Sequence, residues 1–220
     1  MKKLTVDVVL KELKKLYPKA KCTLDFEDPL QLLVATILAA QCTDARVNVV
    51  TKTLFVKYRV PQDYLNVPPE ELENDIRSCG TFHVKARAIQ ETCATIITDF
   101  NGEVPRTMEG MLTLRGVGRK TAAVVLATAF GVIEGIPIDT HNIRLLNRMG
   151  LVASKNQHRI ELEMMDATPH KDWPILSHLM VAHGRAVCSA FNRNCAGCPL
   201  KEDCPSSLVY KRNDLSKLLS

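Results

Sequence analysis

Apolar residues recur at every third or fourth position along nearly the whole chain, the spacing that gathers them on one face of an α-helix. Segments in which apolar and polar residues alternate, as they do in a half-buried β-strand, are scarce. Residues that end helices punctuate the pattern, since Pro18 closes a first helix and Gly131 closes the segment RKTAAVVLATAFG. The chain is therefore predicted to be all-α.

Capping residues help to place the other helices. Thr43 and Asp44 begin one of them, a pair of prolines opens another, and Thr107 caps a third. The segment 131–138 contains two glycines and a proline, so it interrupts the helical pattern and is the best candidate for a domain boundary. Beyond the first helix, the predicted helices lie in 30–40, 43–58, 68–80, 84–102, 108–114, 119–131, 139–150, 156–169 and 173–187.

The composition, 46% hydrophobic and 24% charged, is that of a globular protein rather than a disordered one. No apolar run reaches the roughly eighteen residues that cross a membrane, and the N-terminus lacks the apolar stretch of a secretory signal. We therefore expect a cytoplasmic protein that does not enter the membrane. The net charge is +5, and all of the excess lies in residues 1–21, which hold seven lysines and two acidic residues. Such a segment is typical both of nucleic-acid-binding proteins and of ordinary solvated helices.

Four of the eight cysteines stand close together near the end of the chain, with the spacing C-x6-C-x2-C-x5-C. The other four are scattered, and in a cytoplasm they are expected to be reduced and mostly buried. Four clustered thiolates suit either an iron–sulfur cluster or a closed tetrahedral zinc site. The spacing alone leaves both metals open. The clustered cysteines are Cys188, Cys195, Cys198 and Cys204, and we call residues 187–205 the cysteine segment.

A helical hairpin is predicted at residues 112–123, LTLRGVGRKTAA. Gly116 and Gly118 permit a tight turn that exposes backbone N–H groups at the start of the next helix. Those groups and the helix dipole can bind a phosphate. An ordinary connection between two helices would use the same residues, so the spacing alone does not show whether the turn binds a phosphate.

Two ionisable residues are placed at predicted helix starts. Lys120 lies in the first turn after the hairpin, where the positive end of the helix and the adjacent Arg119 disfavour the ammonium form. A neutral lysine amine is a nucleophile. Asp139 begins a later helix and can be held there by backbone N–H groups. Taken singly, Lys120 can be an ordinary solvated lysine and Asp139 an ordinary N-cap. Together, the lysine amine could attack an electron-poor carbon while the carboxylate stabilises the positive charge.

The motifs of this chain resemble those of the endonuclease III family, helix-hairpin-helix DNA glycosylases with an associated AP lyase activity. The resemblance runs over roughly residues 20–205. It implies two α-helical domains flanking a DNA cleft: a six-helix domain at 22–132, and a discontinuous iron–sulfur domain made of 1–21 and 133–220. The motifs that carry it are AAQCTDARVN, LRGVGRKTAAVVL, DTHNIRLLNRMG and the cysteine segment, in that order.

The resemblance also implies the function, which is removal of oxidised pyrimidines from duplex DNA during base excision repair. The damaged nucleotide is flipped out of the helix, because its glycosidic bond is otherwise inaccessible. Lys120 is expected to attack C1′ and form a Schiff base, and Asp139 to stabilise positive charge on the sugar or assist proton transfer. β-Elimination then cuts the strand 3′ to the abasic site. The substrate is double-stranded DNA with a damaged base or an abasic site, bound by a nucleoid-associated monomer.

Other roles follow from the same resemblance. The four clustered cysteines are expected to hold a [4Fe–4S] cluster, with zinc as the alternative, while the nearby cations Arg185, Arg193 and Lys201 either meet phosphates or form a solvated face. Gln41 is expected to enter the space left by the flipped base, and His141 either lines the pocket or is structural. The remaining expected DNA contacts are Gly116, Val117, Gly118 and Arg119 in the hairpin, and Thr81, Phe82 and His83.

Four residues depart from the family pattern. Arg115 replaces a proline before the hairpin glycines, Cys42 a small residue such as alanine, and Asn142 an apolar residue. Thr81 stands where a bulky apolar side chain often fills the gap in the base stack, and threonine offers less volume. The lesion and the opposite base are therefore not predicted by the sequence.

Two other functions compete with this interpretation. An adenine DNA glycosylase of the same superfamily would carry a glutamate four residues before Gln41, where this chain has Ile37, and would lack Lys120. A non-catalytic DNA-binding or redox-sensing module would not need both Lys120 and Asp139. Both residues are present, which favours the bifunctional enzyme.

Overall fold

The computed structural model describes residues 3–209. Over this range the chain is helical, with a single β-bridge between Cys188 and Arg193 and no named strand. The predicted all-α fold is confirmed. The α-helices are α1 (Val6–Leu16), α2 (Pro29–Leu38), α3 (Asp44–Lys57), α4 (Pro61–Leu65), α5 (Pro69–Asp75), α6 (Phe82–Phe100), α7 (Met108–Thr113), α8 (Arg119–Phe130), α9 (Thr140–Arg148), α10 (Gln157–Ala167) and α11 (Trp173–Ala186), and short 3₁₀ turns occupy Arg77–Cys79 and His170–Asp172.

The helices begin and end at the residues that local chemistry favours. Thr43 accepts a hydrogen bond from the N–H of Arg46 at the start of α3, and Thr107 accepts one from Gly110 at the start of α7. α8 ends at Gly131, whose φ of 67° lies in the left-handed region where glycine is unstrained. These caps fix where the hairpin and the residues after it emerge from the helices.

The described residues divide into two compact units. One is Cys22–Glu134, and the other joins Met1–Lys21 to Gly135–Ser220, so far as these segments are described. The division falls two residues after the boundary expected from the sequence.

The unit Cys22–Glu134 holds α2 to α8 around its own hydrophobic core. The expected number of helices in this unit was six, and the five-residue helix α4 brings the number to seven. α2 is apolar on nearly every side and is buried at its centre, as Leu32, Leu33 and Val34 are fully shielded from solvent. The hairpin packs against this core through α7 and α8.

The other unit packs α1, α9, α10 and α11 around a second core, to which α1 contributes Val9 and Leu13 and α11 contributes Leu176 and Leu179. The cysteine segment lies against this core through the buried Leu200. No helix formed by residues 3–209 has the length and apolar content needed to span a lipid bilayer.

Candidate functional site

The hairpin at residues 112–123 joins α7 to α8 through a turn that requires glycine at one position. Gly116 has a φ of 75°, and a Cβ atom added there would stand 3.2 Å from the Cβ of Ala88. Val117 is buried, and its N–H donates to the carbonyl of Leu114. The turn is thus anchored by an apolar side chain and shaped by one glycine.

α6 supports the hairpin at the residue where the family pattern has proline. The hydroxyl of Thr92 donates to the carbonyl of Arg115 at 2.8 Å. The guanidinium of Arg115 pairs with Glu91, which also pairs with Arg87. Both the main-chain carbonyl and the side chain of Arg115 are therefore held in place by contacts with α6.

Gly118 and the next two residues form the start of α8. Gly118 is the N-cap, its φ of −91° is ordinary, and a Cβ added to it would meet nothing within 4 Å. Arg119 donates to the carbonyl of Glu134 at 3.3 Å. Lys120 is exposed in the first turn, where the N–H groups at the start of a helix have no partner within the helix itself. The arrangement offers an amine and an anion-binding helix start side by side.

Asp139 is the N-cap of α9, as its position in the sequence predicts. Its Oδ1 accepts two hydrogen bonds from Asn142, one from the backbone N–H and one from the side-chain Nδ2, both at 2.8 Å. His178 lies nearby on α11; burial lowers the pKa of His178, and the Asp139 carboxylate opposes part of that effect. The carboxylate is held in a fixed, partly buried position.

His141 follows Asp139 by two residues and is half-buried. Its Nδ1 lies 3.1 Å from Nη2 of Arg144. It packs so closely on α11 that a Cβ added to Gly184 would stand 2.7 Å from the same nitrogen. The ring therefore has a structural contact on one side.

Gln41 and Thr81 have the left-handed backbone conformation, with φ of 55° and 43°. Among residues 3–209, the one other non-glycine residue with this conformation is Asn101, which ends α6. A β-branched residue rarely adopts this conformation, and such strain tends to be kept at functional sites. Both Gln41 and Thr81 are exposed.

The two residues after Thr81 differ in their freedom. The rings of Phe82 and His83 lie 4.1 Å apart, and Phe82 is half-buried beneath Arg77. His83 is exposed, and its Nδ1 lies 2.5 Å from a carboxylate oxygen of Glu73.

Lys85 has no marked pattern in the sequence, yet it joins the end of α2, just before Gln41, to the 3₁₀ turn just before Thr81. Its ammonium is buried and donates to the carbonyl of Leu38 at 2.8 Å and to that of Cys79 at 2.7 Å. Burial lowers the pKa of Lys85. A lysine at a helical position amid apolar residues gives no sequence signal for such a role, because it resembles any solvated lysine.

The four clustered cysteines line one pocket of the cysteine segment. Burial, assisted by the charges of Cys204, Cys188 and Cys195, raises the pKa of the Cys198 thiol. Within residues 3–209, no group of three or more His, Cys, Asp or Glu side chains is arranged to hold a metal ion.

Arg148 is a second residue that the sequence did not reveal. From the end of α9 it donates to the carbonyl of Ser189 at 2.7 Å and to that of Ala190 at 3.0 Å, and its Nη1 lies 3.3 Å from Sγ of Cys188. Lys201 donates to the carbonyl of Ala196 within the segment, and Arg193 donates to that of Ser206 directly after it. These cations are therefore part of the structure of the pocket.

Comparison with known proteins identifies the family. Residues 34–170 match the HhH-GPD superfamily of base excision DNA repair proteins. The chain is 48% identical over 206 residues to an endonuclease III of Synechocystis sp., covering 94% of each chain. It is 44% identical over 213 residues to an endonuclease III of Bacillus subtilis, covering 96% of this chain and 97% of the relative. The chain belongs to the endonuclease III family. The family predicted from the sequence is confirmed.

Solved structures agree with this assignment. A non-covalent endonuclease III–DNA complex shares 45% identity and a TM-score of 0.91, covering 96% of this chain and 99% of that chain. A trapped covalent endonuclease III–DNA intermediate shares 45% identity and a TM-score of 0.90, covering 97% and 99%. As an endonuclease III family member, the chain is a base excision repair DNA glycosylase with AP lyase activity. Members of this family carry a [4Fe–4S] cluster.

The site residues predicted from the sequence fall in both units. Gln41, Thr81 and the hairpin with Lys120 belong to Cys22–Glu134, whereas Asp139, His141 and the clustered cysteines belong to the other unit.

Proposed function

We propose that this chain removes oxidised pyrimidines from double-stranded DNA and cuts the strand at the resulting abasic site, with Lys120 as the nucleophile. The observation that carries the proposal is the exposed amine of Lys120 in the first turn of α8, directly after the Gly116–Gly118 turn. The trapped covalent intermediate formed by an endonuclease III of the same fold supports a covalent mechanism.

The reaction begins when the damaged nucleotide leaves the base stack, since the enzyme must reach C1′ of its sugar. The amine of Lys120 attacks C1′, and the C1′–N bond breaks with its electrons leaving on the base, which takes up the proton that the attacking nitrogen loses. The C1′–O4′ bond then breaks, O4′ keeps its electrons and takes up a proton, and a Schiff base forms between Lys120 and C1′. Loss of a proton from C2′ breaks the C3′–O bond and expels the 3′ phosphate. Hydrolysis of the Schiff base releases the enzyme.

Asp139 is the proposed electrostatic partner of this chemistry. Its carboxylate is fixed by two hydrogen bonds from Asn142, so its charge is preorganised. It would stabilise the positive charge that develops on the sugar or accept a proton as the Schiff base forms.

The DNA contacts are proposed on both sides of the flipped nucleotide. The N–H groups at the start of α8 would bind a phosphate, with Gly118 leaving room for its close approach and Arg119 adding charge. Gln41 and Thr81 would enter the space vacated by the base, with Phe82 and His83 beside them; their strained backbones support this role. His141 would border the pocket beside Asp139.

The residues of the cysteine segment fit a [4Fe–4S] cluster. Four thiols line one pocket with the cations Arg148 and Arg193, which would offset thiolate charge. A cluster takes one thiolate on each of four irons, so its ligands stand farther apart than those of one zinc ion. Membership of the endonuclease III family favours the cluster over zinc. When bound, the cluster would cross-link the segment; Cys188, Cys195, Cys198 and Cys204 would hold it.

The physiological partner is DNA that contains a damaged base or an abasic site. Solved complexes of similar endonuclease III proteins with DNA support DNA binding. We further propose that the chain acts as a monomer, and that it acts at the nucleoid, where its substrate lies.

Borohydride trapping tests the nucleophile. An oligonucleotide duplex with one thymine glycol is incubated with wild type, Lys120→Gln and Lys52→Gln in the presence of borohydride. Lys52 is an exposed lysine of α3, so its variant has the same loss of charge. Wild type and Lys52→Gln are expected to form a covalent adduct, and Lys120→Gln is not.

The substrates separate the parts of the proposal. An adduct with an abasic site but not with thymine glycol would keep Lys120 as the lyase nucleophile and refute the lesion class. Failure to trap wild type on either substrate would refute the mechanism. Asp139→Asn removes the charge but retains an efficient N-cap, so it should slow trapping without unfolding α9.

A further inference from the structure

Asn142 places a polar side chain in the core of the unit that contains Asp139. It is fully buried, although the family resemblance favours an apolar residue at this position. Its hydrogen bonds lead from Asp139 to Ser177, a buried serine of α11. We propose that Asn142 and Ser177 are positioning residues that fix the Asp139 carboxylate for the reaction, an inference that rests on the proposed role of Asp139.

The carboxylate is held more firmly than a simple helix cap would hold it. An N-cap aspartate needs one hydrogen bond, which the backbone N–H of Asn142 supplies to Oδ1 at 2.8 Å. The side-chain Nδ2 of Asn142 donates a second bond to the same oxygen, also at 2.8 Å. Two donors on one oxygen fix the rotation of the carboxylate about its Cβ–Cγ bond. Among residues 3–209 no hydrogen bond is made to Oδ2, which stays available to the substrate.

Ser177 fixes which way the amide faces. Its hydroxyl donates to the carbonyl of Pro137 at 2.7 Å, and a carbonyl can only accept. The oxygen of Ser177 is therefore free to accept from Asn142 Nδ2 at 3.1 Å. A flipped amide would turn its oxygen toward both the carboxylate and a hydroxyl whose proton is already used. The direction of donation runs from Asn142 to Asp139 without an alternative.

The amide oxygen of Asn142 shows that a contribution to stability does not by itself explain why asparagine stands at this position. Within the described chain, the buried Oδ1 of Asn142 has no hydrogen-bond partner. A buried acceptor without a partner destabilises a fold, and an apolar side chain of the same shape would avoid it. The contribution that an apolar residue could not replace is the directed donor to Asp139.

The variant Asn142→Leu tests the proposal, because leucine has a similar branched shape and leaves the backbone N–H in place. Single-turnover cleavage of a thymine glycol duplex is expected to slow roughly 10- to 100-fold, as misplaced catalytic groups do. Affinity for the duplex and thermal stability should be nearly unchanged. Ser177→Ala should slow the reaction less, and Ser177→Thr, which keeps the hydroxyl, should restore it.

A control on the same helix separates positioning from folding. Asn147 also donates from a partly buried Nδ2, to the carbonyls of Ile143 and Ser154 at 2.7 Å, but it does not contact Asp139. Asn147→Leu is expected to lower stability and leave the single-turnover rate unchanged at a temperature where the variant is folded. Equal slowing by Asn147→Leu and Asn142→Leu would overturn the proposal.

A double-mutant cycle distinguishes this inference from the proposed function. Asp139→Ser keeps an N-cap oxygen but removes the carboxylate. Asn142→Leu should slow wild type and have no added effect in the Asp139→Ser background. Equal slowing in both backgrounds would overturn the positioning role and leave the role of Asp139 intact. An Asp139→Ser variant as fast as wild type would overturn the proposed function of Asp139, and this inference with it.

Discussion

At the scale of single residues, Tyr58 and Tyr64 show how the same side chain can have different energetic roles. Their rings stack at 4.8 Å in the core of Cys22–Glu134. The hydroxyl of Tyr58 donates to Asp75 at 2.7 Å, whereas the buried hydroxyl of Tyr64 has no partner among residues 3–209. A buried hydroxyl without a partner destabilises the fold, and a paired one stabilises it.

Phenylalanine variants of these tyrosines should therefore change stability in opposite directions. Tyr58→Phe should lower the free energy of unfolding by about 1 kcal/mol, and Tyr64→Phe should raise it by up to about 1 kcal/mol. Both variants keep the ring stack, so each serves as the other's control. Chemical denaturation measures both, and equal losses would show that the Tyr64 hydroxyl has a partner in solution.

Tyr58 also makes stability depend on alkaline pH. Burial first, and then its bond to Asp75, raise the pKa of Tyr58 from 10.0 to about 12. Between these values the native state holds a proton that the unfolded state has lost, so the free energy of unfolding falls as pH rises through this window. The contribution is complete below pH 10. Tyr58→Phe should show a shallower fall between pH 10 and 12, and identical slopes for the two proteins would contradict the assignment.

The sequence identified residues whose chemistry is local and missed those whose role depends on distant partners. Asp139 was predicted as an N-cap because capping involves only the next three residues. Lys85 and Arg148 act on carbonyls that lie up to 47 residues away along the chain, so no local pattern marked them. Asn142 departs from the family pattern, but no local pattern marks its partner Ser177, which is 35 residues distant.

At the scale of elements, periodicity and capping predicted the long helices well. α3, α7 and α8 begin or end at the predicted caps Thr43, Thr107 and Gly131. α4 was not predicted, because five residues are too few for a hydrophobic period to appear. It begins at Pro61, and Asp63 accepts hydrogen bonds from the backbone before it, so side-chain capping rather than periodicity defines it.

The two hairpin glycines should respond differently to alanine. Gly116→Ala forces a Cβ into a left-handed residue and against Ala88, so it should lower the free energy of unfolding by about 1–2 kcal/mol. Gly118→Ala meets no atom but replaces a favoured N-cap residue by a poor one, so its loss should be smaller, about 0.5–1 kcal/mol. If the start of α8 binds a phosphate, Gly118→Ala should nevertheless weaken binding of abasic-site DNA. Unchanged binding by Gly118→Ala at a temperature where the variant is folded would count against that contact.

Lys85 joins the end of α2 to the 3₁₀ turn before Thr81, and its removal should affect the loops that follow both. Lys85→Met keeps most of the volume but leaves the carbonyls of Leu38 and Cys79 without their donor. We expect a loss of about 1–3 kcal/mol in the free energy of unfolding. Hydrogen exchange should rise around Gln41 and Thr81, whereas the exposed-lysine variant Lys52→Met should leave both loops as in wild type. Faster exchange confined to one loop would refute the linking role.

At the scale of the whole molecule, each unit has its own hydrophobic core. The cysteine segment contributes little apolar burial, since Leu200 is its one fully buried hydrophobic residue among those described. It is held instead by hydrogen bonds, from Arg148 to the carbonyl of Ser189 and from the thiol of Cys204 to the carbonyl of Arg148. Composition and helical periodicity could not predict that the cysteine segment depends on polar contacts, because both report on apolar burial.

If the cysteine segment holds the proposed [4Fe–4S] cluster, removal of iron should destabilise one unit selectively. Without metal, the clustered thiols lose their cross-link, and those that ionise repel one another. Hydrogen exchange measured by mass spectrometry before and after chelation should increase in the cysteine segment, and in α9 and α11 that pack beside it. Exchange within Cys22–Glu134 should stay as it was, because its core is separate.

Cys195→Ser should reproduce the pattern, and Cys22→Ser, a thiol outside the pocket, should retain both iron and protection. A rise of equal size in both units would show that their stabilities are coupled, and zinc in the purified protein would refute the cluster.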